Sequence, residues 1–111
     1  MKARWSGVTL DCADPDLVAH FWSELLGRPR GPSQDGWVYL GERSDDLPRL
    51  VFQPVPEPKR GKNRTHLDLM VDAIDVGMAR VRELGGSATG ETHRYDEGVV
   101  VVMADPEGNE F

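Results

Sequence analysis

The sequence contains an internal repeat, which constrains the fold more than any other feature of the chain. When the chain is aligned with itself at a displacement of 59 positions, so that residue 7 lies on residue 66, the segment 6–27 matches the segment 65–86 without a gap. Each segment reads as a strand followed by a helix that ends at glycine. A chain of 111 residues has room for one domain-sized core. The two copies are therefore expected to form one domain together.

The first predicted helix has clear signals at both ends. Asp14 is a suitable N-cap, Pro15 occupies the first helical position, and Gly27 suits the left-handed residue that closes a helix. Its apolar stripe consists of Leu17, Val18, Phe21, Trp22, Leu25 and Leu26. The second predicted helix, at about 74–84, is weaker because it contains Gly77.

Alternating and β-prone segments predict the strands of each copy. The alternating segments are 6–12 and 66–71, and glycine-led apolar runs follow at 36–40 and 98–102. Segment 50–53 is predicted to be a further strand, and its counterpart in the second copy is a final strand near Phe111. Polar segment 91–97 is predicted to be a surface loop. We expect module one at about 1–55, a linker at about 56–63 and module two at about 64–111, with its last strand truncated or continued in a longer natural chain.

The two opening strands each have a polar side. Thr9 and Asp11 lie on that side of the first strand, and His66 and Asp68 lie on that side of the second. If the copies pair about a pseudo-twofold axis, these polar sides converge. The pattern therefore predicts a ligand-binding cleft.

Composition narrows the classes of function. The net charge of −6 disfavours binding to a phosphate backbone, so no nucleic-acid partner is expected. No apolar run is long enough to span a bilayer, so no membrane role is expected. Because the single cysteine, Cys12, cannot form an internal disulfide, we expect a cytoplasmic protein.

Three motifs resemble the vicinal-oxygen-chelate superfamily, the group of glyoxalase I, bleomycin-resistance proteins and extradiol dioxygenases. They are Ala13-Asp-Pro with the helix up to Leu-Leu-Gly27, Asn63-Arg-Thr-His-Leu-Asp-Leu69, and Ala104-Asp-Pro-Glu-Gly-Asn-Glu-Phe111. The chain is most similar to the glyoxalase-like domain branch, over nearly its whole length. The resemblance implies an α+β fold in which two βαβββ modules form a U-shaped, partly open barrel, usually within a homodimer.

The resemblance also implies four metal-ligand positions. They correspond to Gly7, Gln53, His66 and a position just beyond the last residue. Glu110 lies two residues before that fourth position and on the same side of its strand. Divalent metal sites usually need three or more protein ligands, so no metal or other cofactor is expected. The alternative is a weakly bound divalent ion held by Gln53, His66 and Glu110.

The candidate ligand-binding residues follow from these patterns. They are Thr9, Asp11, Trp37, Tyr39, Gln53, His66, Asp68 and Glu110. His66 is the candidate general base, which Asp68 or Glu110 could orient. Trp37 and Tyr39 could stack on a planar ligand or cover the sheet or a dimer contact, and the carboxylates could equally be solvated strand positions.

Three functions remain open at this stage. The leading hypothesis is a small-molecule-binding protein with a polar cleft and a degenerate metal site, acting as a homodimer on an unassigned ligand. The second is a metal-dependent lyase, isomerase or dioxygenase. The third is a non-catalytic dimeric interaction module. Whether the chain is an enzyme is left open.

Overall fold

Two helices and five strands follow one another in the computed structural model, which describes residues 1–111. The order is β1 (Gly7–Cys12), α1 (Pro15–Leu26), β2 (Val38–Leu40), β3 (Arg49–Pro54), α2 (Ile74–Glu83), β4 (Ser87–Tyr95) and β5 (Gly98–Ala104). These elements confirm the predicted α+β class. The chain divides into two compact units, Met1–Pro58 and Lys59–Phe111, and the division falls inside the predicted linker. Neither helix is long and apolar enough to cross a bilayer.

The first unit is a three-stranded sheet covered on one face by α1. The strand order is β1-β3-β2, with β1 parallel and β2 antiparallel to the central strand β3. The core lies between this sheet and α1 and is made of Cys12, Val18, Ala19, Phe21, Trp22, Val38, Leu40, Leu50 and Phe52, all buried. The ring of Phe21 meets that of Trp22 edge to face at 5.3 Å between centroids.

Local sequence signals determine both ends of α1. The Asp14 carboxylate accepts a hydrogen bond from the Leu17 backbone N–H at 3.2 Å, and Pro15 is the first helical residue. At the other end Gly27 adopts a left-handed φ of 65°, and its N–H donates to the Ser23 carbonyl. The predicted boundaries of this helix are confirmed.

The second unit consists of α2 and the antiparallel hairpin β4–β5. Its buried apolar residues are only Val81, Met103 and Ala104. No side chain caps α2, which begins after Ala73. The turn after β5 is held by Asp105, whose Oδ1 accepts hydrogen bonds from the backbone N–H groups of Glu107 and Asn109 at 2.9 and 3.0 Å.

Two predictions for the second unit are wrong in detail. Segment 66–71 alternates as expected but belongs to neither sheet. The predicted loop at 91–97 is mostly strand, because β4 continues to Tyr95. A register shift between Ala88 and Thr92, where Gly90 has a left-handed φ of 87°, interrupts the β4 pattern and hides it from a period-two reading. The final strand is reduced to a bridge between Ala104 and Glu110.

Candidate functional site

The polar face of the first sheet, on the side opposite α1, carries the main group of candidate residues. Strand register pairs Gly7 with Arg49, Thr9 with Val51, and Asp11 with Gln53. Paired residues of neighbouring strands share a face, and alternate residues of one strand return to it. The polar face therefore consists of Thr9, Asp11, Tyr39, Arg49, Val51 and Gln53.

This arrangement unites four of the eight predicted ligand-binding residues. Thr9 and Asp11 are exposed, while Tyr39 and Gln53 are half-buried. The Gln53 side-chain amide has no hydrogen-bond partner within the protein. An amide in that position is ready to bond to an added molecule.

Trp37 lies one residue before β2 rather than within it. Its backbone N–H and C=O both bond to Gln34, at 2.9 and 3.1 Å, in a tight turn that precedes the strand. The indole side chain is half-buried.

Arg49 is a member of the polar face that the sequence analysis missed. Its guanidinium carbon lies 4.8 Å from the centre of the Tyr39 ring, a cation–π distance. Its Nε–H is buried and has no hydrogen-bond partner. The spacing of four between Arg49 and Gln53 along one strand was a usable signal, because period-two alternation places both on the same face.

Gly7 occupies its position because the strand next to it comes very close. A Cβ at residue 7 would lie 2.5 Å from the Arg49 carbonyl oxygen, far inside normal contact. The Arg49 N–H donates to the Ser6 carbonyl at 3.2 Å and keeps β1 against β3. Only glycine fits there without separating the strands.

The second unit places His66 beside Asp68. His66 Nδ1 lies 3.3 Å from Asp68 Oδ1, so the carboxylate can orient the ring and leave Nε2 directed elsewhere. Both side chains are exposed, by 52% and 87% respectively. At this exposure, water weakens the pairing.

Glu110 is engaged in the second unit's own structure. Its Oε1 accepts from Lys59 Nζ and its Oε2 from the Asn63 N–H, both at 2.7 Å. The hydrogen bond from the Lys59 ammonium lowers the pKa of Glu110 below its ordinary value, with the Asn63 N–H acting in the same direction. Both carboxylate oxygens therefore bind residues at the start of the second unit, while Glu110 itself lies at the end of that unit.

The residues at the implied metal positions do not fit a divalent cation. Gly7 has no donor atom, and the closeness of Arg49 excludes a larger side chain there. Glu110 already uses both oxygens. No group of three or more His, Cys, Asp or Glu side chains in residues 1–111 is arranged to hold a metal ion.

Comparison with known proteins places these features in a family context. The family model described as "Glyoxalase-like domain" matches residues 7–111. No curated protein matches the chain.

Solved structures with the same fold are numerous. A glyoxalase/bleomycin resistance protein/dioxygenase family enzyme from Burkholderia phytofirmans superposes with a TM-score of 0.81 at 16% identity, covering 98% of this chain and 95% of that one. A glyoxalase/bleomycin resistance protein/dioxygenase from Nocardioides gives 0.73 at 15% identity, covering 99% and 81%. A lactoylglutathione lyase from Agrobacterium tumefaciens gives 0.63 at 18% identity, covering 99% and 91%.

Proposed function

We propose that this chain, which belongs to the glyoxalase-like domain family, binds a small organic molecule on the polar face of its first sheet. The observation that carries the proposal is the side-chain amide of Gln53, a half-buried residue, which bonds to no protein group and lies on a face shared with Thr9 and Asp11. Polar groups of this kind fix the orientation of a ligand in a binding site. The names of the structural relatives describe different activities, so they do not assign a substrate to this chain.

Binding on this face is proposed to be independent of metal. The support is the geometry at Gly7, where the strand that would supply a ligand can carry only glycine. Elemental analysis of protein purified without chelators is expected to show substoichiometric metal. Near-stoichiometric metal that disappears in His66→Ala would instead favour the alternative of a metal-dependent lyase, isomerase or dioxygenase.

Calorimetry with a panel of planar and oxygen-rich small molecules tests the proposed function. At least one compound is expected to bind, and Gln53→Leu should weaken that binding about tenfold, the effect of losing one hydrogen bond in a protected site. Gln34→Leu, at an exposed glutamine of the same unit, is the matched control and should bind as the unmodified protein does. Absence of binding at millimolar concentrations, or unchanged binding in Gln53→Leu, would refute the proposal.

Proton transfer by His66 is a second candidate function, favoured by its contact with Asp68. A ring held at Nδ1 by a carboxylate presents Nε2 as a candidate general base. If the protein converts any compound of the panel, His66→Gln should abolish that conversion. Conversion at an undiminished rate would eliminate this role.

We also propose that the chain forms a homodimer through its second unit. The support is the set of exposed apolar side chains there, namely Met70, Val71, Ile74, Val76, Val99 and Val100. Sedimentation equilibrium should give twice the chain mass of 12.3 kDa. A Val76→Glu variant is expected to be monomeric, whereas Leu47→Glu, at an exposed residue of the first unit, should remain dimeric.

A further inference from the structure

Arg49 is the only arginine of the chain that is half-buried and has no carboxylate partner. Two others are half-buried, and each has a carboxylate: Arg28 lies 3.5 Å from Asp45, and Arg80 lies 3.3 Å from Glu83. The remaining arginines are exposed, where water solvates the guanidinium. Arg49 has no carboxylate within ion-pair distance, although the chain carries 19 acidic residues and a net charge of −6.

The Nε–H of Arg49 is the atom that points to a ligand. It is shielded from water and has no acceptor in the protein. Buried N–H groups in native proteins are nearly always bonded, so Arg49 carries a guanidinium that lacks an acceptor, which a bound anion could supply. A guanidinium offers Nε–H and a terminal N–H in parallel, an arrangement that matches the two oxygens of a carboxylate.

The surroundings of Arg49 hold it in place on the polar face. The ring of Tyr39 lies against the guanidinium at 4.8 Å, and the hydrogen bond from the Arg49 N–H to Ser6 fixes the backbone. On the same strand and the same face, Gln53 offers a side-chain amide that bonds to no protein group. A ligand on this face can therefore meet both a cation and a neutral hydrogen-bonding group.

We propose that Arg49 is a specificity-determining residue and that the small molecule bound on the polar face carries a carboxylate. This inference rests on the proposed function and names its class of ligand. The carboxylate pairs with the guanidinium, whose terminal nitrogens are not buried. A flat part of the ligand next to the carboxylate lies along the Tyr39 ring.

The test compares matched acids and neutral amides on the full chain. Benzoate with benzamide, and phenylacetate with phenylacetamide, differ only in the group that Arg49 would recognise. Calorimetry is expected to give affinities ten- to a hundredfold higher for the acid of each pair, the range for a charge-assisted bond. In a ¹⁵N–¹H spectrum, the acid should shift the Arg49 Nε–H resonance and the amide should not.

Variants identify the residue that is responsible. Arg49→Gln should remove the preference for the acid, and Arg49→Lys, which keeps the charge but not the two-pronged geometry, should retain only part of it. Arg43→Gln removes an exposed arginine of the same unit and should preserve the full preference. Because the Arg49 Nε–H resonance is observed in the unmodified protein, it tests the role of Arg49 even if Arg49→Gln does not fold.

The outcomes separate the two proposals. Equal affinity for acid and amide would overturn the role of Arg49 and leave small-molecule binding intact. A preference for acids that persists in Arg49→Gln but disappears in Arg43→Gln would likewise overturn it. If neither member of any pair binds, and the wider panel does not bind either, both proposals fail.

Discussion

The two units of this chain begin with the same sequence pattern and end with different structures. In the first unit the alternating segment becomes β1, paired along its whole length with β3. In the second unit the corresponding segment 66–71 belongs to neither sheet. The first unit has a continuous core between sheet and helix, whereas the second buries only Val81, Met103 and Ala104 among its apolar residues.

The difference shows what an alternating pattern can and cannot determine. Alternation makes a segment able to cover a core with one side, but a strand exists only when a neighbour supplies hydrogen bonds. The first unit supplies β3. In the second unit the corresponding region provides only the bridge between Ala104 and Glu110. The two copies therefore differ because only the first alternating segment has a neighbouring strand with which to pair.

The largest expected effect on stability comes from a substitution in the core of the first unit. Phe52 is fully buried in β3, beneath α1, so Phe52→Ala should lower the free energy of unfolding by about 3–5 kcal/mol. Urea denaturation followed by circular dichroism measures this. Glu97→Ala, at an exposed residue of the turn between β4 and β5, is the control and should change stability by less than about 0.5 kcal/mol. A similar cost for both variants would contradict the assignment of Phe52 to the core.

A pair of substitutions at equivalent repeat positions sharpens the comparison further. Gly7→Ala forces β1 away from the Arg49 carbonyl and should cost about 1–3 kcal/mol. The corresponding residue of the second unit is His66, which is exposed and in no sheet, so His66→Ala should cost less than about 0.5 kcal/mol. Thermal denaturation of both variants measures the difference. A Gly7→Ala variant as stable as the parent would contradict the close approach of the strands.

The second unit is stabilised by the polar contacts of Glu110, whereas the first unit is stabilised by its apolar core. Because the pKa of Glu110 is lowered by Lys59, the contribution of this carboxylate to stability is present above its ordinary pKa of 4.5. It is lost as the pH falls through the lower folded value. Glu110→Gln should therefore cost about 1 kcal/mol at pH 7 and almost nothing at acidic pH.

Denaturation curves at several pH values check this dependence. The control is Glu57→Gln, at an exposed residue for which stability should be unchanged at every pH. An equal loss of stability at neutral and acidic pH in Glu110→Gln would refute the assigned role of the Lys59 contact.

The smallest expected effect concerns the helix starts. α1 has the Asp14 cap and α2 has none at Ala73. Ala73→Ser should therefore raise the free energy of unfolding by about 0.5–1 kcal/mol, while Asp14→Ala should lower it by about 1 kcal/mol. Thermal denaturation compares the two. A destabilising Ala73→Ser would indicate that the α2 start is held by something other than its cap.

Features encoded by neighbouring residues could be predicted from the sequence. The bounds of α1 followed from Asp14, Pro15 and Gly27, because capping acts within one helical turn. The placement of Thr9 and Asp11 on one side of their strand followed from period two. Both are local properties. The register between strands, which brings Tyr39 and Gln53 to the same face, is not local.

Features that depend on distant partners could not be predicted. β4 was concealed by the irregularity around Gly90, and its polar residues gave no apolar side to detect. The state of segment 66–71 depends on pairing across the fold. The lack of a partner for Arg49 depends on where every acidic residue of the chain lies, which no local pattern records.

The 2.5 Å separation at Gly7 also limits how this protein could change over evolutionary time. A histidine or glutamate at residue 7 would supply a donor atom that glycine lacks. That substitution would first have to push two hydrogen-bonded strands apart, so it would damage folding before it offered any new chemistry. The fold itself therefore opposes the gain of a metal ligand at residue 7.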